Sequence, residues 1–482
     1  MSTSTPTSAP SDLNLKNIQG DILSGFPKKR ETFYFFEVLD ATKFREDFRK
    51  LIPDIKNVYQ VLEAREEICG HKKMHPDGPL CPFIGVNIGF SHFGFQKLGI
   101  DDSKLTDPAF LAGQRADAEN LGDKGTKSKE GKFIPDWEEE FKQDIHGVMN
   151  IASNCPNRIH EQVQLIEEYF KVGTAQATMR KVTSICGNTR PKEHNGEEHF
   201  GFLDGISNPT VIGFDVDPPP GPAPVRAGVI IVGHDGDPNK AERVPWMTDG
   251  SFMAFRLLYQ RVPEFDEFVW ANRLKLPGLS DQQGADLFGA RLMGRWKSGA
   301  PLDLAPFFDD PALGKNENMR NNYRFAAEKD FQKFCPFAAH ARKMLPRADL
   351  EDHGIPIERR RIMRRGIQFG EEVTDQERKN KKTEHGRGLL FVCYQSSIVN
   401  GFQFVQTGWA NEAKFPKDVP QLPGLDPIIG QNHGKDDRGP MSGTNPDKPS
   451  EMVELTEEWV VSRGGEYFFS PSINALKEII AL

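Results

Sequence analysis

A run rich in proline is the feature that most limits how this chain can fold. Five of the nine residues at positions 216–224 are proline, which has no amide donor and a fixed φ angle, so the run can form neither a helix nor a central strand. We predict a linker at residues 216–226. A chain of 482 residues also exceeds what one hydrophobic core usually supports. We therefore expect an N-terminal domain of residues 13–215, a C-terminal domain of residues 227–482 and a flexible tail at residues 1–12, which are rich in Ser, Thr and Pro.

Strand and helix patterns are mixed along both parts of the chain. Segments rich in aromatic and β-branched residues predict strands, at residues 32–38, 82–90, 227–232, 251–259 and 389–394. Segments with a helical spacing of apolar residues predict helices, at residues 41–51, 91–98, 158–170, 263–274 and 398–409. Strands and helices mixed in this way predict an α+β fold.

Charge and composition exclude several classes of partner. The net charge of −8 argues against nucleic acid or an anionic membrane, because both attract basic surfaces. The chain has no apolar run long enough to span a bilayer. The first twelve residues lack the basic and apolar regions of a secretory signal, so we expect a cytoplasmic protein. An extracellular location stays open if the sequence is trimmed or export follows an unusual route.

A histidine near the middle of the second part has the placement of an iron ligand. Pro336 and Pro346 bracket a short predicted helix. Its apolar stripe at helical spacing consists of Phe337, His340, Ala341 and Met344. His340 therefore points to the buried side of the helix, where a haem ligand could lie. The alternative is a core histidine with an ordinary hydrogen bond.

Three short motifs accompany this histidine. The first is Gly-Phe-Leu-Asp-Gly at residues 201–205, the second Ile-Met-Arg-Arg-Gly at residues 362–366 and the third Asn-Ile-Gln-Gly-Asp-Ile-Leu at residues 17–23. Taken alone, Asp204 is an ordinary turn residue and Arg364 part of a solvated basic face. Taken with the histidine, the motifs resemble the dye-decolorizing peroxidase family of fungi, and the resemblance extends from about residue 13 to near the C-terminus.

The resemblance implies a fold and a set of catalytic groups. It implies two ferredoxin-like α+β domains with antiparallel sheets, and a haem b whose iron is bound by His340 in a cavity of the C-terminal half. Asp204 is then the acid and base that moves the proton of hydrogen peroxide, because a carboxylate can shuttle a proton. Arg364 would stabilise developing negative charge and keep that carboxylate ionised. Its neighbour Arg365 is the residue with which it could be confused.

The resemblance also implies contacts around the cofactor, at Ile206, Leu389, Phe391, Arg347 and Asp426. Leu389 and Phe391 alternate along a predicted strand and can face the haem together. Arg347 would bind a haem propionate, since a guanidinium pairs well with a carboxylate. Asp426 would accept the second N–H of the proximal histidine and make the imidazole more electron-donating. The alternative for Asp426 is a turn aspartate before proline.

Bulky dyes cannot enter a pocket sized for peroxide, so their electrons must cross the protein. Trp409 resembles the surface tryptophan that fungal members of the family use for long-range electron transfer. The alternative is a buried core tryptophan. Phe369 stands where some members carry an oxidisable tyrosine, so a tyrosyl route at that position is in doubt.

The activity expected from the resemblance is the oxidation of dyes, phenols and other small aromatic reductants by hydrogen peroxide, with Mn²⁺ as a further candidate substrate. An aspartate base stays ionised at lower pH than a histidine, which predicts an acidic optimum. Two alternatives stay open. One is a haem-binding protein without catalysis, and the other is a zinc-binding protein that uses the cluster Cys69, His71, His75 and Cys81.

Overall fold

The computed structural model describes residues 13–75, 78, 81–328, 331–435 and 437–482. Its strands are β1 Arg30–Val38, β2 Ile84–Phe90, β3 Gly125–Lys127, β4 Phe133–Pro135, β5 Gly147–Ser153, β6 Met179–Asn188, β7 Ser251–Gln260, β8 Met363–Arg364, β9 Ile367–Phe369, β10 Gly388–Gln395, β11 Pro440–Met441, β12 Val453–Glu454 and β13 Val460–Ser470.

The α-helices are α1 Gly20–Leu23, α2 Ala41–Leu51, α3 Val58–Met74, α4 His92–Leu98, α5 Pro108–Ala112, α6 Gln114–Asp117, α7 Pro156–Tyr169, α8 Val262–Ala271, α9 Asp281–Met293, α10 Pro311–Lys315, α11 His340–Met344, α12 Ala348–Glu351, α13 Asp375–Asn380 and α14 Ile473–Ala475. Three further segments are π-helical, at Val399–Gln403, Val405–Ala410 and Leu476–Ile480. In the described part of the chain, no helix is both long enough and apolar enough to cross a bilayer.

One antiparallel sheet carries strands from both halves of the chain. Its order is β6-β1-β5-β2-β13-β7-β10-β8, with β9 also paired to β10. The first four strands come from the N-terminal half and the others from the C-terminal half. Each half repeats the order of a ferredoxin-like unit, in which the fourth strand lies beside the first. The halves meet edge to edge where Phe90 of β2 pairs with Phe469 of β13. The predicted α+β fold with two ferredoxin-like units is therefore confirmed.

Hydrophobic core lies on both faces of this sheet, which curls on itself. On β1, Phe36 stacks on Phe44 of α2, with ring centroids 5.9 Å apart. Its neighbour Phe35 points to the other face and meets Phe255 of β7 at 4.9 Å. Strands that are not neighbours in the sheet thus pack across its concave side, which encloses a barrel-like core.

Most predicted elements appear where the pattern placed them, with one clear exception. Residues 41–51 form α2, and the Ser91 side chain caps α4 by accepting from the amide of Gly94. The strand predicted at residues 227–232 is wrong, because Ala227–Val229 forms a 3₁₀ turn. Gly228 donates to the carbonyl of Asp235, and the tight packing there leaves no room for a side chain. An apolar run can be buried in a turn as well as in a strand.

The predicted linker is an exposed loop without a helix or strand. Val225, near its C-terminal end, is buried and pairs in an isolated β-bridge with Val211, which precedes the linker. The domain boundaries at residues 215 and 227 stay a prediction.

Candidate active site

A cavity of about 270 Å³ lies between the C-terminal unit of the sheet and the helices that cover it. Seven of the predicted catalytic and haem-binding residues line it, namely Asp204, Ile206, His340, Arg347, Arg364, Leu389 and Phe391. The contacts predicted for Leu389 and Phe391 follow from β10, on which alternate residues share one face. Residues separated by almost two hundred positions therefore share one pocket.

The loop after β6 presents Asp204 to this cavity. Gly201 and Gly205 have φ angles of +88° and +74°, which a residue with a side chain adopts only with strain. The amide of Asp204 donates to the carbonyl of Gly196 at 2.9 Å. The side-chain amide of Asn321 donates to the carbonyl of Ile206 at 2.7 Å. The two glycines make the turn and these bonds fix it, so the carboxylate has a defined position.

Arg364 is the direct partner of this carboxylate. Its Nη1 donates to Oδ1 of Asp204 at 2.9 Å, and both side chains remain about 30% exposed toward the cavity (30% and 28%). Burial opposes ionisation of Asp204, but the Arg364 guanidinium and the amide of Gly205 together hold the pKa of Asp204 below its ordinary value. The carboxylate is therefore ionised in acidic solution and can accept a proton.

Arg365 is directed away from the cavity, which separates the two candidate arginines. Its Nε donates to the carbonyl of Asp21 at 3.0 Å, and its Nη2 donates to the carbonyl of Leu23. Burial lowers its pKa, and the nearby Asp21 carboxylate opposes that effect. Arg365 thus ties the first helix to β8, while Arg364 faces the cavity.

Sequence reasoning missed the residue that holds Arg364 in register. The side chain of Asn208 accepts from the amide of Arg364 at 3.0 Å and donates to its carbonyl at 3.3 Å. This pair of bonds replaces a partner strand on the open edge of β8. The available signal was the position of Asn208, four residues after Asp204 and just beyond its motif.

His340 begins α11, so the helix is shorter than the one predicted between Pro336 and Pro346. The backbone of Ala339 is extended, with φ −52° and ψ 132°. Nearby side chains satisfy the amides that precede the helix, since Gln332 accepts from Phe337 at 3.2 Å. Part of the predicted apolar stripe faces the cavity, because Ala341 and Met344 line it together with His340.

Asp426 contacts His340 as predicted from the resemblance. Its Oδ2 lies 2.9 Å from Nδ1 of the imidazole, and Asp426 is fully buried. Its Oδ1 accepts from the amides of Ile428 and Ile429 at 2.8 and 2.9 Å. Burial opposes ionisation, but His340 and these amides hold the pKa of Asp426 below its ordinary value. The carboxylate therefore accepts a hydrogen bond from Nδ1–H, which leaves the lone pair of Nε2 free to bind a metal ion.

The cavity suits a haem group. Its walls include the apolar side chains of Leu258, Met293, Leu389, Phe391 and Ile428. Within the described residues, Nε and Nη2 of Arg347 are buried without a hydrogen-bond partner, while its Nη1 donates to the carbonyl of Asn321 at 2.8 Å. A buried guanidinium with two free donors is suited to an anionic group such as a propionate. The phenol ring of Tyr323 supports it from 3.7 Å, a contact that the sequence did not reveal.

Trp409 lies outside the cavity lining and is buried. It is 3% exposed and stacks on Phe415, with ring centroids 5.3 Å apart and an interplanar angle of 10°. Its carbonyl accepts from Nζ of Lys343 at 3.1 Å, because its π-helical segment packs against α11. The sequence left the exposure of Trp409 open, and the structure buries this side chain, as in the alternative of a core tryptophan. A role in electron transfer stays a prediction.

The alternative zinc site receives no support from the geometry. The rings of His71 and His75 lie 5.0 Å apart at the end of α3. Among the residues that the structure describes, however, no three His, Cys, Asp or Glu side chains are grouped so that they could hold a metal ion. A structural zinc site usually has four such ligands.

Two family models match this chain. Residues 17–191 match the family model described as the DyP dimeric alpha+beta barrel domain, and residues 197–418 match the model of the Dyp-type peroxidase, C-terminal. The dye-decolorizing peroxidase AauDyP1 of Auricularia auricula-judae is 40% identical, over 97% of this chain and 87% of its own length.

Solved structures show the same likeness. A mutant of the dye-decolorizing peroxidase from Pleurotus ostreatus is 48% identical, with a TM-score of 0.94 over 98% of this chain and all of that chain (100%). A dye-decolorizing peroxidase in complex with 2,6-dimethoxyphenol is 41% identical, with a TM-score of 0.86 over 98% of this chain and 100% of that chain. The chain belongs to the dye-decolorizing peroxidase family.

Proposed function

We propose that this peroxidase holds a haem b in the cavity described above, with His340 as the iron ligand, and uses hydrogen peroxide to oxidise small phenols and dyes. The observation that carries the proposal is that two charged pairs meet at one cavity. One is the pair of His340 with Asp426, and the other is the pair of Asp204 with Arg364. A metal ligand with a carboxylate behind it and an ionised acid with a guanidinium beside it are the two parts that peroxide cleavage requires. Arg347, with two unpartnered donors, would bind a propionate.

When bound, the haem supplies the exchange of electrons with peroxide. The ionised Asp204 takes the proton from one oxygen of hydrogen peroxide and delivers it to the other, which leaves as water. Arg364 stabilises the negative charge that develops on the leaving oxygen and favours the ionised form of Asp204, which is restored when the proton is delivered. Asp426 keeps the imidazole of His340 oriented, with its proton on Nδ1. Ile206 lies beside the acid, where it limits the space to a small oxidant.

The reducing substrates are proposed from the relatives and from the size of the cavity. The related peroxidase solved with 2,6-dimethoxyphenol supports a small phenol as substrate. A cavity of about 270 Å³ that also holds a cofactor leaves little room for a bulky dye. Dyes would then react at the protein surface through oxidisable side chains, among which Trp409 is a candidate. Oxidation of Mn²⁺ is a further candidate activity.

A titration with haemin followed by peroxide tests the proposal. The protein should bind one haem, give a Soret band near about 400 nm, and oxidise 2,6-dimethoxyphenol when peroxide is added. Asp204→Asn should keep the haem but lower the rate by about 10²-fold to 10⁴-fold, since it cannot accept a proton. Equal rates in the variant and the wild type would refute the role of Asp204, and haem binding without turnover in the wild type would favour the alternative of a haem carrier without catalysis. Zinc in place of iron on elemental analysis would refute the haem assignment.

A further inference from the structure

Tyr467 forms a buried hydrogen bond that the peroxide chemistry does not use. It lies on β13 with no exposed surface, and its hydroxyl donates to Oδ2 of Asp117 at 2.7 Å. The other groups that donate to this carboxylate are neutral amides, from Gln403 at 2.8 and 2.9 Å and from Asn120 at 2.9 Å. Among the residues that the structure describes, no cation forms an ion pair with this carboxylate, so it is placed to accept the proton of the phenol.

One aromatic ring separates this tyrosine from the cavity. The Tyr467 ring meets the edge of Phe402 with centroids 6.1 Å apart, and Phe402 meets Phe391 at 6.0 Å. Both phenylalanines line the cavity. Tyr467 thus contacts the cavity wall through the ring of Phe402, at a separation that an electron can cross.

Among the described residues, three other buried aromatic side chains donate to carboxylates but lack one of these properties. Tyr34 donates to Glu167 at 3.2 Å, but Glu167 is paired with Lys181 at 3.1 Å. Trp137 donates to Asp123 at 2.9 Å, but Asp123 is paired with the guanidinium of Arg256 at 2.6 Å. Tyr394 donates to Asp21 at 3.2 Å, and its ring packs in the core on the other face of the sheet. Tyr467 has both properties. Within the described residues, no cation pairs with its partner Asp117, and its ring contacts the cavity wall at Phe402.

Burial and the Asp117 carboxylate raise the pKa of Tyr467 well above its ordinary value, so the phenol stays protonated in the resting protein. A phenol that loses an electron becomes a strong acid, so its proton leaves at that moment. A carboxylate at hydrogen-bond distance is then the group that receives it.

We propose that Tyr467 is a redox-active tyrosine of the peroxidase reaction and that Asp117 is its proton acceptor. The inference rests on the proposed function, because the oxidant is the haem after its reaction with hydrogen peroxide. One electron passes from the phenol to that oxidant, the O–H bond breaks, and a new O–H bond forms on Asp117, which leaves a neutral phenoxyl radical. A reducing substrate then returns one electron, and the proton moves back to the phenol.

The acceptor lies close to solvent, which suits a relay to external reductants. Asp117 ends α6 and is 8% exposed, and its partner Asn120 is an exposed residue. A reductant bound at this face would therefore approach the dyad without entering the cavity. External reductants would then donate electrons to Tyr467 at this face and not through the side chains around Trp409.

Freeze-quench electron paramagnetic resonance of the haem-loaded enzyme after one equivalent of peroxide tests the inference. The wild type should give a tyrosyl signal, and a nitroso spin trap should leave its adduct on the peptide that contains Tyr467. Tyr467→Phe should lose both the signal and the adduct. Asp117→Asn, which keeps the size of the side chain but not the base, should lower the radical yield. Tyr394→Phe, the matched control on the other sheet face, should keep the signal.

The same samples separate this inference from the proposed function. If the Soret band of Tyr467→Phe still changes on addition of peroxide while the tyrosyl signal is lost, the relay is supported. If the signal and the adduct persist in Tyr467→Phe, or move only with Tyr394→Phe, the relay is refuted and the peroxide chemistry stands. If wild-type enzyme shows no spectral change with peroxide, the proposed function itself fails. The adduct on wild-type protein gives a readout that does not depend on how well a variant folds.

Discussion

Nη1 of Arg364 donates to Oδ1 of Asp204 across 2.9 Å, although 160 positions separate the two residues. The bond joins a loop that follows the N-terminal unit to a short strand of the C-terminal unit. It places an ionised acid and a permanent cation in the cavity that His340 also lines. The catalytic properties proposed for this enzyme depend on that pairing.

Loss of the guanidinium should shift the pH dependence of the enzyme. Because Arg364 lowers the pKa of Asp204, Arg364→Leu should raise it. The ionised carboxylate is the active form, so activity is lost as pH falls through this pKa, and the acidic limb of the profile should move to higher pH. The rate at the optimum should fall by about 10²-fold to 10³-fold. Steady-state rates with 2,6-dimethoxyphenol across the acidic range measure both effects.

The matched control for this change is Arg359→Leu, which removes an exposed arginine outside the cavity lining. Its profile should coincide with that of the wild type. The wild type itself should be most active in acidic solution. An optimum at neutral or alkaline pH, or an unshifted acidic limb in Arg364→Leu, would contradict the role given to the pair.

Removal of the charge behind the histidine should weaken the haem site. In Asp426→Asn the remaining oxygen can still accept from Ile428 and Ile429, so the new amide group faces Nδ1 of His340. That nitrogen must then accept a hydrogen bond, which moves the imidazole proton to Nε2 and blocks the ligand atom. We expect haem affinity or activity to fall by about 10-fold to 100-fold. Haem titration and the Fe(III)/Fe(II) midpoint potential, which should rise, measure the effect.

Asp418→Asn provides the comparison, because Asp418 is an exposed aspartate of the same loop. It should leave haem affinity and midpoint potential unchanged. An Asp426→Asn enzyme with the affinity and potential of the wild type would show that this carboxylate does not act on the imidazole.

Arg347 should act on haem affinity and not on the acid. Its two unpartnered donors are the observation behind the propionate assignment, and Arg347→Met removes them. Loss of a charge-assisted hydrogen bond should weaken haem binding by about 10-fold to 100-fold. The rate at which haem leaves the protein for an excess of an acceptor protein measures the change. Unchanged haem loss would place the propionates elsewhere.

The neighbouring arginine should affect stability instead. Arg365→Met deprives the carbonyls of Asp21 and Leu23 of their donor. The free energy of unfolding should fall by about 2 kcal/mol, as measured by denaturant unfolding of the haem-loaded protein. The pH profile of the folded enzyme should keep its acidic limb. A shift of that limb in Arg365→Met but not in Arg364→Leu would reverse the assignment of the two residues.

Local patterns predicted the elements and the chemical groups better than the contacts between them. The strands around residues 32–38 and 251–259 have strong side-chain patterns, and the structure confirms them. Residues 227–232 have an equally apolar pattern but form a buried turn. Periodicity reports burial, and only tertiary packing decides whether a short buried run becomes a strand.

The candidate site shows the same difference between local patterns, which the sequence reveals, and tertiary contacts, which it does not. Asp204, His340 and Arg364 were found because each belongs to a motif of recognisable chemistry. The clamp by Asn208, the ring of Tyr323 beneath Arg347 and the bond between Tyr467 and Asp117 join residues that lie 24 to 350 positions apart. Such contacts leave no local signature. Whether Trp409 is buried could not be decided from the sequence for the same reason, because its burial depends on packing against Phe415 and α11.

The most direct test of the account is a crystal structure of the haem-loaded enzyme. We expect one haem in the cavity, with Nε2 of His340 bound to the iron, Nδ1 still bonded to Asp426, and Asp204 and Arg364 above the open coordination position. A haem bound outside this cavity, or an iron held by a different side chain, would contradict the account.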